Sequence, residues 1–245
     1  MVCHSSKIRL FLDTTLQLHS CIELNAKQSR YLFAVMRLEV GKRIQVIDGC
    51  TGEYIAEIID KKRKTGMIKV VSKLHELLQP PDLWLLFAPI KPVRTKLIIE
   101  KATELGVTVI KPVITERTNY RTLNLKRLRS VMIEALEQCG GTFLPKLEKP
   151  TRLSTLLNNW PSGRSLIHCN EKLTEEDKKI NYQFPSDAHP SSILIGPEGG
   201  FSDEEAGRIH NLKFVKSVCL GPRVLRADTA VISAIAIWQS TNGYW

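Results

Sequence analysis

Between Ile193 and Thr229 the chain reads ILIGPEGGFSDEEAGRIHNLKFVKSVCLGPRVLRADT, and this stretch restricts the fold more than any other. Ile193-Leu194-Ile195 has the character of a buried strand, halted by Gly196-Pro197. Ser202 stands three residues ahead of Glu205, the spacing of a capping box at a helix start. A second apolar run, Phe214–Leu220, stops in the same way at Gly221-Pro222. Two strands that both finish in tight Gly/Pro loops imply an open α/β sheet with its ligand at the carboxyl ends of the strands.

Gly196, Gly199 and Gly200 allow close backbone approach and positive φ, and they offer N–H groups to a ligand. A triphosphate fits poorly. The Lys-Ser/Thr pair of a Walker loop is missing, Glu198 places a negative charge in the loop, and no G-x-G-x-x-G dinucleotide pattern is present. A ligand with hydroxyls, an amino group or a positive centre suits these loops better. Taken alone, GPEGG is also what a plain turn between strand and helix looks like.

The second loop makes the pattern specific. GPEGGF with S-x-x-E, followed by LGPRVLRADTA, resembles the RsmE family, bacterial enzymes that methylate N3 of a uridine in 16S ribosomal RNA of the small ribosomal subunit with S-adenosyl-L-methionine. They belong to the SPOUT superfamily, so the resemblance implies a parallel-sheet α/β methyltransferase domain with a trefoil knot, preceded by a small PUA-like β-barrel. Knots are otherwise excluded from topology arguments.

The resemblance spans nearly the whole chain. In the first part it rests on Arg37-Leu38 at the end of Val35-Met36-Arg37-Leu38, on the V-G-x-x-I-x-V-x-D-G run from Val40 to Gly49, and on Glu53-Tyr54-x-Ala56-Glu57-Ile58. Family members usually have Val-Leu-Arg at the first of these. Further on, Lys91, Arg94, Lys101, Glu104, Leu105 and Gly106 match its pattern, followed by Pro112 and Glu116-Arg117. Glu134, Glu137, Gln138 and Cys139 match E-x-x-E-Q-C-G. Two departures stand out: Gly141 replaces the usual arginine, and Asp228 replaces the glutamate of L-R-x-E-T.

Periodicity gives the remaining elements. Ile8–Leu12 reads as a strand, Gln28–Leu38 as helical, and Arg43–Ile47, Tyr54–Ile59 and Met67–Val71 as a β meander. Gln79-Pro80-Pro81-Asp82 is the clearest linker, which divides the chain into residues 1–78 and 79–245. Trp84–Ala88, a helix from Val93 to Leu105 closed by Gly106, and Val107–Val113 make a strand-helix-strand unit of a parallel sheet. Asn124 is placed to cap a helix reaching Cys139. Leu153–Trp160 reads as a short helix, Ser165–Cys169 as a strand, 170–192 as a polar loop, and Asp228–Ser240 as the last helix. On that helix Ala230, Ala234 and Ile237 form a stripe that suits a core face and, by the resemblance, a homodimer interface equally.

The net charge of +10 is uneven: +5 over residues 1–78, +6 over 79–160 and −1 over 161–245. A basic front and a near-neutral, glycine-looped end suit a polyanion held by one part and a small cofactor by the other. Lys61-Lys62-Arg63-Lys64 is a basic hairpin turn, either plainly solvated or in contact with phosphate. Six cysteines without C-x-x-C spacing point to free thiols rather than a metal site. No long apolar run is present, so the expectation is a cytoplasmic protein that needs neither membrane nor metal.

For the chemistry, Arg226 is the first candidate to stabilise negative charge developing on the uracil, with pairing to Asp228 or Glu198 as its alternative use. Glu198 and Asp228 are the weaker candidates for a base. Cofactor contacts are expected from Ile195, Gly196, Pro197, Gly199, Gly200, Leu220, Gly221, Val224, Leu225 and Ala230. Thr229 either bonds a ligand or caps the helix. His168 and Glu171 lie at a strand end beside the pocket; His168 reads as structural rather than catalytic and is counted among the cofactor-binding residues. The resemblance and their loop positions mark Arg37, Lys91, Arg94 and Arg117 as RNA contacts. A non-catalytic ribosome-assembly factor of the same fold is the competing reading, and intact glycine loops weigh against it.

Overall fold

A computed structural model describes residues 8–62, 65–171, 184–186, 190–243 and 245. Half of the basic hairpin run (Arg63 and Lys64) and most of the polar loop 170–192 therefore lie outside the described residues. Contacts gather the chain into two units, residues 1–79 with 136–144 and residues 80–135 with 145–245.

The first unit contains β1 (Arg9–Phe11), β2 (Cys21–Leu24), α1 (Ala26–Ser29), β3 (Arg43–Ile47), β4 (Glu53–Lys61) and β5 (Gly66–His75). They form one sheet in the order β1-β3-β4-β5-β2, with β1 parallel to β3 and the rest antiparallel. Register explains the core. Leu10 lies opposite Val46, Val46 opposite Tyr54, Ile44 opposite Ala56, and Ile58 opposite Ile68. Alternate residues thus share one face, where this set is at most 6% exposed.

Helix α1 starts at a capping box, with the Asn25 side chain accepting from Gln28 N–H and the Gln28 side chain from Asn25 N–H. The helical pattern expected over Gln28–Leu38 is mostly a π-helical turn, Arg30–Val35, closed by Met36 N–H to the Tyr31 carbonyl at 2.9 Å. Strand β2 was not expected from the sequence. Two polar devices fix the ends. The Asp48 carboxylate accepts from the N–H groups of Leu16, Cys50 and Thr51 and from the Thr51 hydroxyl. Arg9 pairs with Glu53 at 2.7 Å and donates to the Leu136 and Gly141 carbonyls at 2.6 and 2.8 Å. The glycine that replaces the family's arginine therefore offers its backbone oxygen to Arg9.

The second unit runs β6 (Leu83–Phe87), α2 (Pro92–Glu104), β7 (Val109–Ile114), α3 (Leu125–Cys139, its last turn in the first unit), β8 (Lys146–Leu147), β9 (Thr151–Arg152) and α4 (Leu153–Asn158). It continues with β10 (Ser165–Cys169), β11 (Ser191–Ile195), α5 (Asp203–His210), β12 (Val215–Val218) and α6 (Ala227–Asn242). The strands are all parallel in the order β12-β10-β11-β6-β7-β8. Every residue of β11 is buried, as a strand covered on both faces requires. Along the outer edge of β7, β8 pairs with Val109-Ile110 and β9 with Val113-Ile114. Pro112, which has no N–H to give a ladder, falls between the two pairings. Ala230 and Ala234 are buried within the chain and Ile237 is 38% exposed, so the first two serve its own core.

Candidate active site

The carboxyl ends of β10, β11 and β12 and the N-terminus of α6 surround a cavity of about 380 Å³. Its position follows from the sheet. β11 pairs with β10, which pairs with β12, so the loops that leave β11 and β12 stand on either side of the end of β10. The GPEGG loop is closed by Gly200 N–H to the Pro197 carbonyl at 2.9 Å. Gly200 has φ +67°, where a side chain is strained. At Gly196 a Cβ would come within 2.8 Å of the Phe201 ring. Ser202 and Glu205 form the expected capping box and start α5 directly behind the loop.

On the opposite wall Gly221 has φ +120° and no atom within 4 Å of the place a Cβ would take, so its backbone borders open space. Leu220, Val224, Leu225 and Ala230 complete that wall, and Ile195, Gly196, Pro197 and Gly200 line the first. At the end of β10, His168 is 4% exposed and meets Phe201 edge-on, ring centres 5.2 Å apart. Burial pulls its pKa down to about 4, so it is neutral at pH 7. Burial, with Cys219 nearby, likewise holds the Cys169 thiol well above its usual range. Cys219 donates through Sγ to the Gly221 carbonyl at 3.1 Å.

The expected site residues fall in three places. Arg226 and Glu198 line the cavity, and neither has an ion-pair partner among the described residues. Asp228 does not line it. Its Oδ2 accepts from Arg94 at 2.6 Å, and its buried Oδ1 has no hydrogen-bond partner. Arg226 is therefore left unpaired by the carboxylate two residues on in sequence. Asp228 instead borders a second groove with Lys91, Arg94 and Tyr120. Gly199 faces Arg117, whose guanidinium donates to the Gly199 carbonyl at 3.0 Å, and Thr229 is exposed outside the cavity. Arg37 belongs to the first unit, at φ +55°. Asn170, Ala206 and Arg223 line the cavity without having been singled out in the sequence, and Glu171 joins them from the strand end beside His168. Asn170 follows directly from the strand-end position of His168, which was the available signal.

Glycine walls, apolar patches and an unpaired arginine suit a neutral or cationic small molecule beside a group that gains negative charge. Two sequence profiles match the chain, an RNA methyltransferase domain over residues 78–239 and an RNA methyltransferase PUA domain over residues 24–70. Ribosomal RNA small subunit methyltransferase E of Rickettsia conorii is 32% identical over 229 residues, 93% of each chain. The chain belongs to that RNA methyltransferase family. A solved putative methyltransferase from Legionella pneumophila, in complex with bound S-adenosylmethionine, is 30% identical with TM-score 0.84 over 97% of this chain and 99% of its own. Methyltransferase E of Neisseria gonorrhoeae, at 24% identity and TM-score 0.83 over 96% and 98% of the two chains, shares the fold. The methyltransferase's parallel sheet and the PUA domain ahead of it are those the sequence led one to expect. Among the described residues no helix is long and apolar enough to cross a membrane. No cluster of His, Cys, Asp and Glu suited to a metal occurs among them either.

Proposed function

We propose that this methyltransferase acts on N3 of a uridine in 16S ribosomal RNA, using S-adenosylmethionine held between the GPEGG and LGPRVLR loops. The observation that carries the reading is the cavity lined by Gly196, Gly200 and Gly221, with open space beside the Gly221 backbone. Its volume lies within the range of small-molecule pockets. The lining is chemically apt: aliphatic side chains of Ile195, Leu225 and Ala230 for a ring and a thioether, backbone groups for polar edges, and Glu198 for a cation.

Bound there, S-adenosylmethionine supplies a methyl group on a sulfonium. The residues of the chain have three tasks. Bare backbone and apolar walls fix the donor's position, and alignment of this kind is worth about 7–11 kcal/mol of barrier. Arg226, unpaired in the cavity wall, stabilises negative charge on the uracil oxygens as N3 gives up its proton. Glu198, an exposed carboxylate on the facing wall, is free to take that proton, whereas Asp228 is already fastened to Arg94. His168 is neutral and buried, which suits a wall rather than a proton carrier.

The basic residues 1–160 hold the RNA in this reading, with Arg37, Lys91, Arg94 and Arg117 among the contacts. The protein works in the cytoplasm as a homodimer, and the C-terminal chain is knotted, as the family resemblance implies. Reverse transcription of ribosomal RNA tests the activity, because a methyl on N3 blocks Watson–Crick pairing and stops the polymerase. The stop is expected in wild-type cells, absent from a deletion strain and restored by the wild-type gene. A stop that persists in the deletion strain contradicts the proposal.

A further inference from the structure

The π-helical turn of the first unit presents a face that the methyl-transfer chemistry does not use. Leu32 is fully buried, and Phe33 packs so closely on β5 that a Cβ at Gly66 would lie 2.5 Å from its ring. With these two as anchors, Tyr31, Val35 and Met36 are left 38, 62 and 39% exposed on a stretch of six residues. Lys27, Arg30 and Arg37 stand exposed beside them, without an ion-pair partner among the described residues. No acidic residue occurs between Glu23 and Glu39, so the charged side chains of this stretch are all positive.

The backbone adds a second observation. Arg37 sits at φ +55°, and Leu38 N–H closes the turn on the Leu32 carbonyl at 2.9 Å. This is the left-handed closing position of a helix end, where glycine is favoured. An arginine held there, next to a π-helical turn, is a local cost of the kind that accompanies function. Exposed aromatic and aliphatic surface ringed by unpaired cations is the chemistry that recognises an unpaired nucleotide, by stacking on the base and contact with the phosphates.

We propose that Tyr31, Val35 and Met36 form a stacking site for an unpaired nucleotide of the RNA substrate, with Arg30 and Arg37 on its phosphates. The proposal rests on the RNA-substrate reading above. It assigns the first unit a defined contact with the RNA.

The test measures affinity of the full-length protein for a transcript of small-subunit ribosomal RNA, together with S-adenosylmethionine affinity and thermal midpoint. Tyr31→Ala is expected to weaken RNA binding about 5- to 150-fold, the range of one lost stacked base, and Tyr31→Phe to stay within about twofold of wild type. Arg37→Gly is expected to weaken RNA binding and to lower the salt dependence by about 0.7 log units per log unit of salt, while its midpoint is unchanged or higher. Donor affinity stays at the wild-type value in all three. Wild-type RNA affinity in Tyr31→Ala overturns the proposal. So does Arg37→Gly with a lower midpoint and intact RNA affinity, which makes Arg37 structural. If the variants bind the transcript normally but methylate small subunits poorly, the face contacts a protein and the proposal again fails. Wild-type protein that takes up donor but binds no transcript overturns the RNA-substrate reading, and this one with it.

Discussion

His168 shows how far a single residue can be read. The sequence places it at a strand end, and in the structure it is 4% exposed, edge-on to Phe201 and beside the cavity. The size of the electrostatic consequence depends on burial, which no local pattern reveals. Its pKa falls from 6.5 to about 4 in the folded protein. The unfolded chain therefore binds a proton below pH 6.5 that the folded chain refuses, and stability drops as pH falls from 6.5 towards 4. Stability from this residue is complete above pH 6.5, and about 3 kcal/mol is gone at pH 4. His168→Gln should remove that portion of the slope, measured as the difference between urea-unfolding free energies of variant and wild type from pH 4 to 7. A wild-type slope in the variant contradicts the burial argument. The residues misplaced by sequence reasoning are instructive as well. Gly199 and Thr229 sit beside true lining residues, yet adjacent residues of a loop or helix point to different sides, so Gly199 meets Arg117 and Thr229 meets solvent. Asp228 was grouped with Arg226 by sequence nearness, and it is Arg94, 134 residues away, that holds it.

At the scale of elements, legibility followed the strength of periodicity and punctuation. Arg43–Ile47 and Ser165–Cys169 have the bounds expected of them, because alternation or an apolar run is framed by turn residues. β8 and β9 are two residues each, too short for a period, and exist because β7 offers an edge interrupted at Pro112. The π-helical turn was invisible to a 3.6-residue reading, although Asn25 and Gln28 had the capping-box spacing that starts α1 just before it. The box at α5 was read correctly and has a measurable weight. Ser202 is 7% exposed and its hydroxyl accepts from Glu205 N–H. Ser202→Ala should cost about 1 kcal/mol in urea unfolding, and Ser202→Asn much less. Equal losses for both substitutions contradict a capping role and point to packing instead.

At the scale of the whole molecule, order along the chain and grouping in space part company at one segment. Residues 136–144 belong with the first unit, tied there by the Arg9 bonds to the Leu136 and Gly141 carbonyls and by Leu78 N–H to the Thr142 hydroxyl. The proline pair at 80–81 marks the first crossing between units, and nothing in the local pattern marks the other two. Charge is also divided along the chain, with the basic excess before residue 161 and the glycine-walled cavity built largely after it. That division supports one central claim: bare backbone at the carboxyl ends of β10, β11 and β12 holds a methyl donor. Titration calorimetry of the purified full-length protein with S-adenosylmethionine tests it most directly. Saturable heat at one donor per chain is predicted, weakened at least about tenfold in Gly221→Leu, whose side chain would occupy the open space beside that backbone. A protein that unfolds cooperatively yet gives no saturable heat with the donor would contradict the account.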